Sequence, residues 1–248
     1  MLHIGKYFGY IFHGAGKILF YPHQAKKYIK NKDNYPLEER YKFLKARANE
    51  VLDKILRVKL DVRGLDKLNE DDTYLFIPNH QGMLDPVALF SILEEPVIFV
   101  SKKEARKYPV VGKMEYIVDA VFLDRESPRD AVNMLRECRK HLSEKRNVAI
   151  FAEGTRSKDK EVTIHPYKGG SFKCAYGTGA KIVPVVIDKA YIPLSTKVKN
   201  TDKVIKVSFL DPIDNYEEIN TNDLAMKVET LAKEELEKMR KEAKNNKE

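Results

Sequence analysis

Two cysteines in 248 residues, Cys138 and Cys174, are too few for a disulfide framework and too few by themselves for a zinc site. No stretch reaches the roughly 18 apolar residues of a membrane-spanning helix. The start of the chain lacks a clean apolar core followed by a small-residue cleavage site, so the cytoplasmic side of a cell is expected. There is no G-x-S-x-G elbow, no phosphate-binding Walker loop, no dinucleotide G-x-G-x-x-G and no H-E-x-x-H. Serine-hydrolase, P-loop, Rossmann and zinc-protease chemistries therefore have no support, and no metal is expected. His3, His13, His23, His141 and His165 have no convincing partners in the sequence, and Cys174 reads as core.

Acidic residues are missing from the beginning: the first is Asp33, and six lysines precede it. Residues 1–60 hold thirteen Lys or Arg against five Asp or Glu, which accounts for the whole formal charge of +8. The rest of the chain is electroneutral. A basic segment on a neutral body suits an anionic surface. Residues 4–22 combine lysines with Tyr7, Phe8, Tyr10, Phe12, Phe20 and Tyr21, as an interfacial helix does. Such bulk favours a lipid surface over a nucleic acid, and a nucleic-acid partner is not expected. The competing reading is a helix packed on the body's own core. Residues 37–57 carry Leu37, Tyr41, Leu44, Ala48, Val51 and Ile55 at helical spacing. Residues 1–57 thus read as a basic amphipathic helical hairpin, turned near 31–36, and residues 58–248 as the main domain.

With 43% hydrophobic and 33% charged residues, the chain is globular and not disordered. Short apolar runs alternate with helical ones: 74–77 then 85–93, 97–100 then 110–116, 120–123 then 129–145. Runs at 148–151, 171–178, 182–187 and 204–209 follow, with 171–178 helical, and a helix over 222–244 ends the chain. This is an α/β fold with a mostly parallel central sheet flanked by helices. Val132, Leu135 and Leu142 should face the core, as should Leu224, Val228, Leu231 and Met239. Pro184 should lie near a strand start or at a sheet edge.

Two strand ends carry polar clusters where α/β sheets keep their ligands. After Ile77 comes Pro-Asn-His-Gln-Gly-Met-Leu-Asp, with Asp85 as the expected helix cap ahead of Pro86. Asp85, five residues beyond His80 across a loop containing Gly82, can reach the imidazole and make it a base for a hydroxyl. An Asp-Pro helix start with no chemistry is the plain alternative. After Phe151 come Ala152, Glu153, Gly154, Thr155, Arg156 and Ser157, a loop whose arginine, hydroxyls and glycine suit a phosphate. Its alternative is a surface turn with an exposed salt bridge. Asp124 and Arg125 end a third strand, where a structural ion pair would also account for them.

In this order the segments resemble the glycerolipid acyltransferases, most of all the 1-acylglycerol-3-phosphate (lysophosphatidic acid) acyltransferase family. The matching blocks are Asn79-His80 with Asp85, Phe122 to Arg125, Phe151 to Ser157, and Val183 to Val186. Ser101 to Glu104 and Pro109 to Gly112 fit as well. Gly82 stands where the family often has Ser, and Ala152 where it usually has Pro. The resemblance implies transfer of an acyl group from coenzyme A or acyl carrier protein to the hydroxyl of a lysophospholipid, without a cofactor. It implies His80 as base and Asp85 as its orienting partner. Arg156 would bind phosphate, with Glu153, Gly154, Thr155, Arg125 and Lys102 completing the substrate site. Oxyanion donors would come from the amides of the 153–155 loop or from Lys102. The basic hairpin would dock the protein on anionic lipid, making it peripheral on the cytoplasmic face. Glycerol 3-phosphate or another lysophospholipid is an alternative acceptor, and a non-catalytic lipid-binding protein a different class.

Overall fold

The computed structural model describes residues 14, 16–157, 163–194 and 203–245. The part of the expected first helix that precedes residue 14 lies outside the described residues. Residues 16–24 are helical and lead into α1 (Lys26–Lys30); α2 (Leu37–Asn49) returns and continues as a π-helical segment, Glu50–Leu56. Then come β1 (Lys59–Arg63), β2 (Tyr74–Pro78), α3 (Leu84–Ile92), β3 (Val97–Lys102), α4 (Val111–Ile117), β4 (Val121–Leu123), α5 (Pro128–Ser143), β5 (Asn147–Ala149), β6 (Lys181–Asp188), β7 (Val204–Phe209) and α6 (Thr221–Asn245).

The seven strands form one sheet in the order β1-β7-β6-β2-β5-β3-β4. Every neighbouring pair is parallel except β6 and β7, so β7 and the edge strand β1 run against the other five. β2 has all five residues buried, as a strand covered by helices on both faces must. Pro184 lies inside β6, a central strand, and not at a start or edge. Its missing N–H would point toward β7, the side on which its carbonyl accepts Leu210 N at 3.0 Å. There β7 has already ended and regular pairing with β6 starts only at Val185, so no ladder bond is lost.

The hairpin is built into the body's core. Tyr21, Ala25, Tyr28, Tyr41, Leu44, Ala48 and Leu52 belong to the same buried cluster as the sheet. The Tyr41 ring packs 5.8 Å from Phe90 of α3, and Arg40 reaches the Ile117 carbonyl and, at 3.0 Å, Asp119. Leu19 and Phe20 remain 64% and 51% exposed.

Two helical expectations are corrected. Val132 is exposed; α5 buries Met134 and Cys138 together with the expected Leu142, with Leu135 at the rim. Residues 171–178 do not form a regular helix. A short 3₁₀ segment, Gly169–Phe172, runs into successive turns ending at Gly177 and Gly179, both at positive φ.

Candidate active site

The β2–α3 loop carries His80. Asn79, ahead of it, extends the strand with its side chain: Nδ2 donates to Ile187 O at 3.0 Å and Oδ1 accepts Ile187 N at 2.7 Å. Asp85 is not the helix cap. It sits inside the first turn of α3, where the N-terminal end of the helix favours a negative charge. Its Oδ2 lies 2.6 Å from His80 Nδ1 and accepts the backbone N–H groups of Gln81 (2.7 Å) and Gly82 (2.8 Å). The carboxylate is fully buried, and its Oδ1 has no partner. Oδ2 already accepts two backbone N–H groups and acts as the acceptor at this point, so Nδ1 carries the hydrogen, which leaves Nε2 with a lone pair. The imidazole stacks on Phe151, with centroids 4.1 Å apart and planes at 27°.

The β5 loop, residues 150–157, is tied to the same backbone. His80 N donates to Glu153 Oε1 at 2.6 Å, and His80 O accepts Ser157 N at 2.9 Å. Glu153 Oε2 accepts His165 N at 2.9 Å. Both carboxylate oxygens are thus occupied and the side chain is buried, so Glu153 holds loops together and does not face a substrate. Burial lifts its carboxyl to about 7, against the pull of the two N–H groups, and nearby Asp85 adds to the rise. Gly154 has φ +70°, and a Cβ there would stand 2.8 Å from Lys168 Nζ. Its N–H is spent on Phe151 O at 2.9 Å, which withdraws one amide from the expected oxyanion donors.

Asp124 and Arg125 do not pair with each other: Asp124 lies 3.5 Å from Lys103, while Arg125 lines a cleft. Ser101, Leu123, Phe151, Gly154 and Lys168 line it too. Burial eases the proton from the Arg125 guanidinium, and the positive charge of Arg156 acts in the same direction while Glu104 opposes it. Arg125 and Arg156 therefore share one field. Thr155 and Arg156 are exposed at the tip of the loop. Lys102 is exposed and bound to Glu104 at 3.0 Å, outside the cleft lining.

Some contributors escape a reading of the sequence. Lys168 reaches the Gly154 turn from a distant segment, and only the Gly-Gly after it hints at a tight approach. Glu115 is held behind the cleft wall, where Ser101 Oγ donates to its Oε1 at 2.5 Å, while Oε2 is buried without a partner. Burial lifts this carboxyl to about 7, with the Ser101 hydrogen bond opposing. Among the described residues, no group of His, Cys, Asp or Glu converges as metal ligands would.

A family profile described as Acyltransferase matches residues 59–188. A 1-acyl-sn-glycerol-3-phosphate acyltransferase of Brassica napus chloroplasts, BAT2, is 36% identical over 130 residues, covering 52% of this chain and 37% of that protein. A protein of the same name from Haemophilus influenzae is 30% identical over 154 residues, 61% of this chain and 63% of its own. The chain thus spans little over a third of the plant relative and under two thirds of the bacterial one. The crystal structure of the LPA acyltransferase PlsC from Thermotoga maritima superposes with a TM-score of 0.68 over 93% of this chain and 98% of its own, at 23% identity, and shares the fold.

Proposed function

The chain belongs to the acyltransferase family, and from that premise we propose that it transfers a fatty acyl group from an acyl thioester to the hydroxyl of 1-acylglycerol 3-phosphate, giving phosphatidic acid. The observation that carries this reading is the buried Asp85 carboxylate set 2.6 Å from His80 Nδ1. It holds the tautomer in which Nε2 accepts a proton. The names borne by the plant and Haemophilus relatives support the choice of acceptor.

In this mechanism Nε2 takes the hydroxyl proton as the oxygen attacks the thioester carbonyl. Asp85 offsets the charge the ring gains. The tetrahedral intermediate collapses with cleavage of the C–S bond, and the thiolate leaves with the proton from His80. The thioester is already activated, so neither an acyl-enzyme nor a cofactor is needed. Arg156 grips the acceptor's phosphate with a planar fork, helped by Arg125 and Thr155. The donor is coenzyme A or acyl carrier protein.

The exposed Leu19 and Phe20, beside Lys17 on a basic hairpin, form the contact with anionic lipid. The protein works as a peripheral enzyme on the cytoplasmic face. Among the described residues no helix is long and apolar enough to cross a membrane.

Mass spectrometry of products formed from lysophosphatidate and a mixture of thioesters tests the reaction. Phosphatidic acid should appear with the wild-type protein and not with His80→Ala, whose far-UV spectrum should be unchanged. Full transfer by His80→Ala, or acylation of glycerol 3-phosphate in preference, would refute the proposal.

A further inference from the structure

We propose that Arg240, near the end of α6, is a positioning residue that fixes His80 through Asp188 and Gln81. The proposal rests on His80 being the base of the acyl transfer. Arg240 also lies outside the span matched by the family profile.

The loop carrying His80 docks on the end of β6 residue by residue. Asn79 is bonded to Ile187 by the two hydrogen bonds already described, and its N–H donates to Val185 O at 3.3 Å. Gly82 lies so close to the next turn that a Cβ would stand 3.1 Å from Tyr191 Cα. Between them, Gln81 Nε2 donates to Asp188 Oδ1 at 3.4 Å. The opposite end of that amide, Oε1, is buried without a partner. The side chain of Gln81 is thus oriented by its bond to Asp188. Its backbone N–H is one of the three donors on Asp85 Oδ2.

Asp188 is 3% exposed, and a carboxylate taken out of water needs a counter-charge. Arg240 supplies it: Nη2 lies 3.1 Å and Nε 3.3 Å from the same Oδ1. The guanidinium holds the Asp188 carboxylate in its buried position. Asp188 then holds Gln81, and Gln81 presents its amide to the carboxylate that sets the tautomer of His80. Without Arg240 the carboxylate turns toward water, and the loop loses the bond between its anchors at Asn79 and Gly82. Displacement of a catalytic group by even about 1 Å lowers turnover strongly.

The test uses the full chain with four variants: Arg240→Met, Arg240→Lys, the double variant Asp188→Asn/Arg240→Met, and Lys241→Met. Lys241 is an exposed neighbour paired with Glu237 and serves as the charge control. Three quantities are read: kcat and KM for donor and acceptor, the melting temperature, and the low-field proton resonance of His80 Nδ1–H in protein labelled with ¹⁵N-histidine. Arg240→Met should lower kcat about 10-fold with both KM values nearly unchanged, and should shift or broaden the resonance. The double variant should recover most of kcat, because a carboxamide at 188 accepts from Gln81 without a counter-charge. Arg240→Lys should fall between, since it keeps the charge and loses the fork. If Arg240→Met does not fold, the Lys and double variants carry the comparison. A melting temperature that falls while kcat and the resonance stay at wild-type values would overturn the proposal, as would a double variant no better than Arg240→Met. Absence of both transfer and the resonance in the wild-type protein would instead sink the assignment of His80 as base.

Discussion

Replacing Glu115 with Gln should stabilise the protein at alkaline pH and leave it unchanged in acid. The carboxyl lies behind the cleft wall with one oxygen bonded to Ser101 and the other buried without a partner. Burial raises it from 4.5 to about 7 in the folded state. A raised folded value means that folding favours the neutral form. The group's contribution to stability is therefore complete below the unfolded value of 4.5, and it drains away as pH climbs to about 7. Beyond that the loss is constant. At about 1.4 kcal/mol per pH unit it amounts to about 3 kcal/mol. Gln accepts the Ser101 hydroxyl as Glu does and never ionises. The variant should therefore match the wild type near pH 4.5 and exceed it by about 3 kcal/mol at pH 8, a rise in Tm of roughly 6–12 °C for a chain of this size. The chain has no tryptophan, so urea melts followed by far-UV circular dichroism at pH 4.5, 6, 7 and 8 are the suitable assay. Groups other than Glu115 titrate alike in both proteins and cancel in the difference. A difference that stays constant across pH would refute the argument.

Asp85→Asn should lower kcat by about 10²–10⁴, because an amide can direct its N–H₂ toward Nδ1 and favour the wrong tautomer; near-wild-type turnover would remove the carboxylate from the mechanism. Arg156→Ala should raise the acceptor's KM at least about 10-fold, the order expected when a charge-assisted pair is lost, and leave the donor's KM in place. An unchanged acceptor KM would exclude Arg156 from the phosphate site. Leu19→Glu/Phe20→Glu should release the protein from anionic vesicles in sedimentation without lowering Tm, since both side chains already face water. Undiminished binding would exclude this part of the helix as the lipid contact.

What the sequence made legible follows from how local each cause is. β2 and β6 are runs of buried apolar residues, and the strand–loop–helix alternation through Leu123 needs only short-range pattern. The reversed direction of β7 and β1 depends on pairing between segments far apart in the chain, and β1, with its alternating charges, offers no apolar run at all. The His80–Asp85 pair was readable because five residues across one loop confine it. Asp85 was misread as a cap because an Asp before Pro has two uses, and tertiary contact with His80 decides between them. Glu153 shows the same limit. Its neighbours in sequence suggest a ligand site, but its carboxylate turns inward to amides of His80 and His165. Val132 follows the helical period and is exposed all the same, because α5 leans on the sheet through Met134 and Cys138, one step around the helix.

The sheet ends on one side in β4, only three residues long, and on the other in β1, where Lys59, Asp61 and Arg63 alternate with Leu60 and Val62. Asp61 lies 3.8 Å from Lys206, and Arg63 reaches Glu242 at 2.5 Å. Open edges of this kind invite strands from other molecules, and brevity on one margin with charge on the other discourages such pairing. Copies crowded together can therefore collide repeatedly without stitching into aggregates.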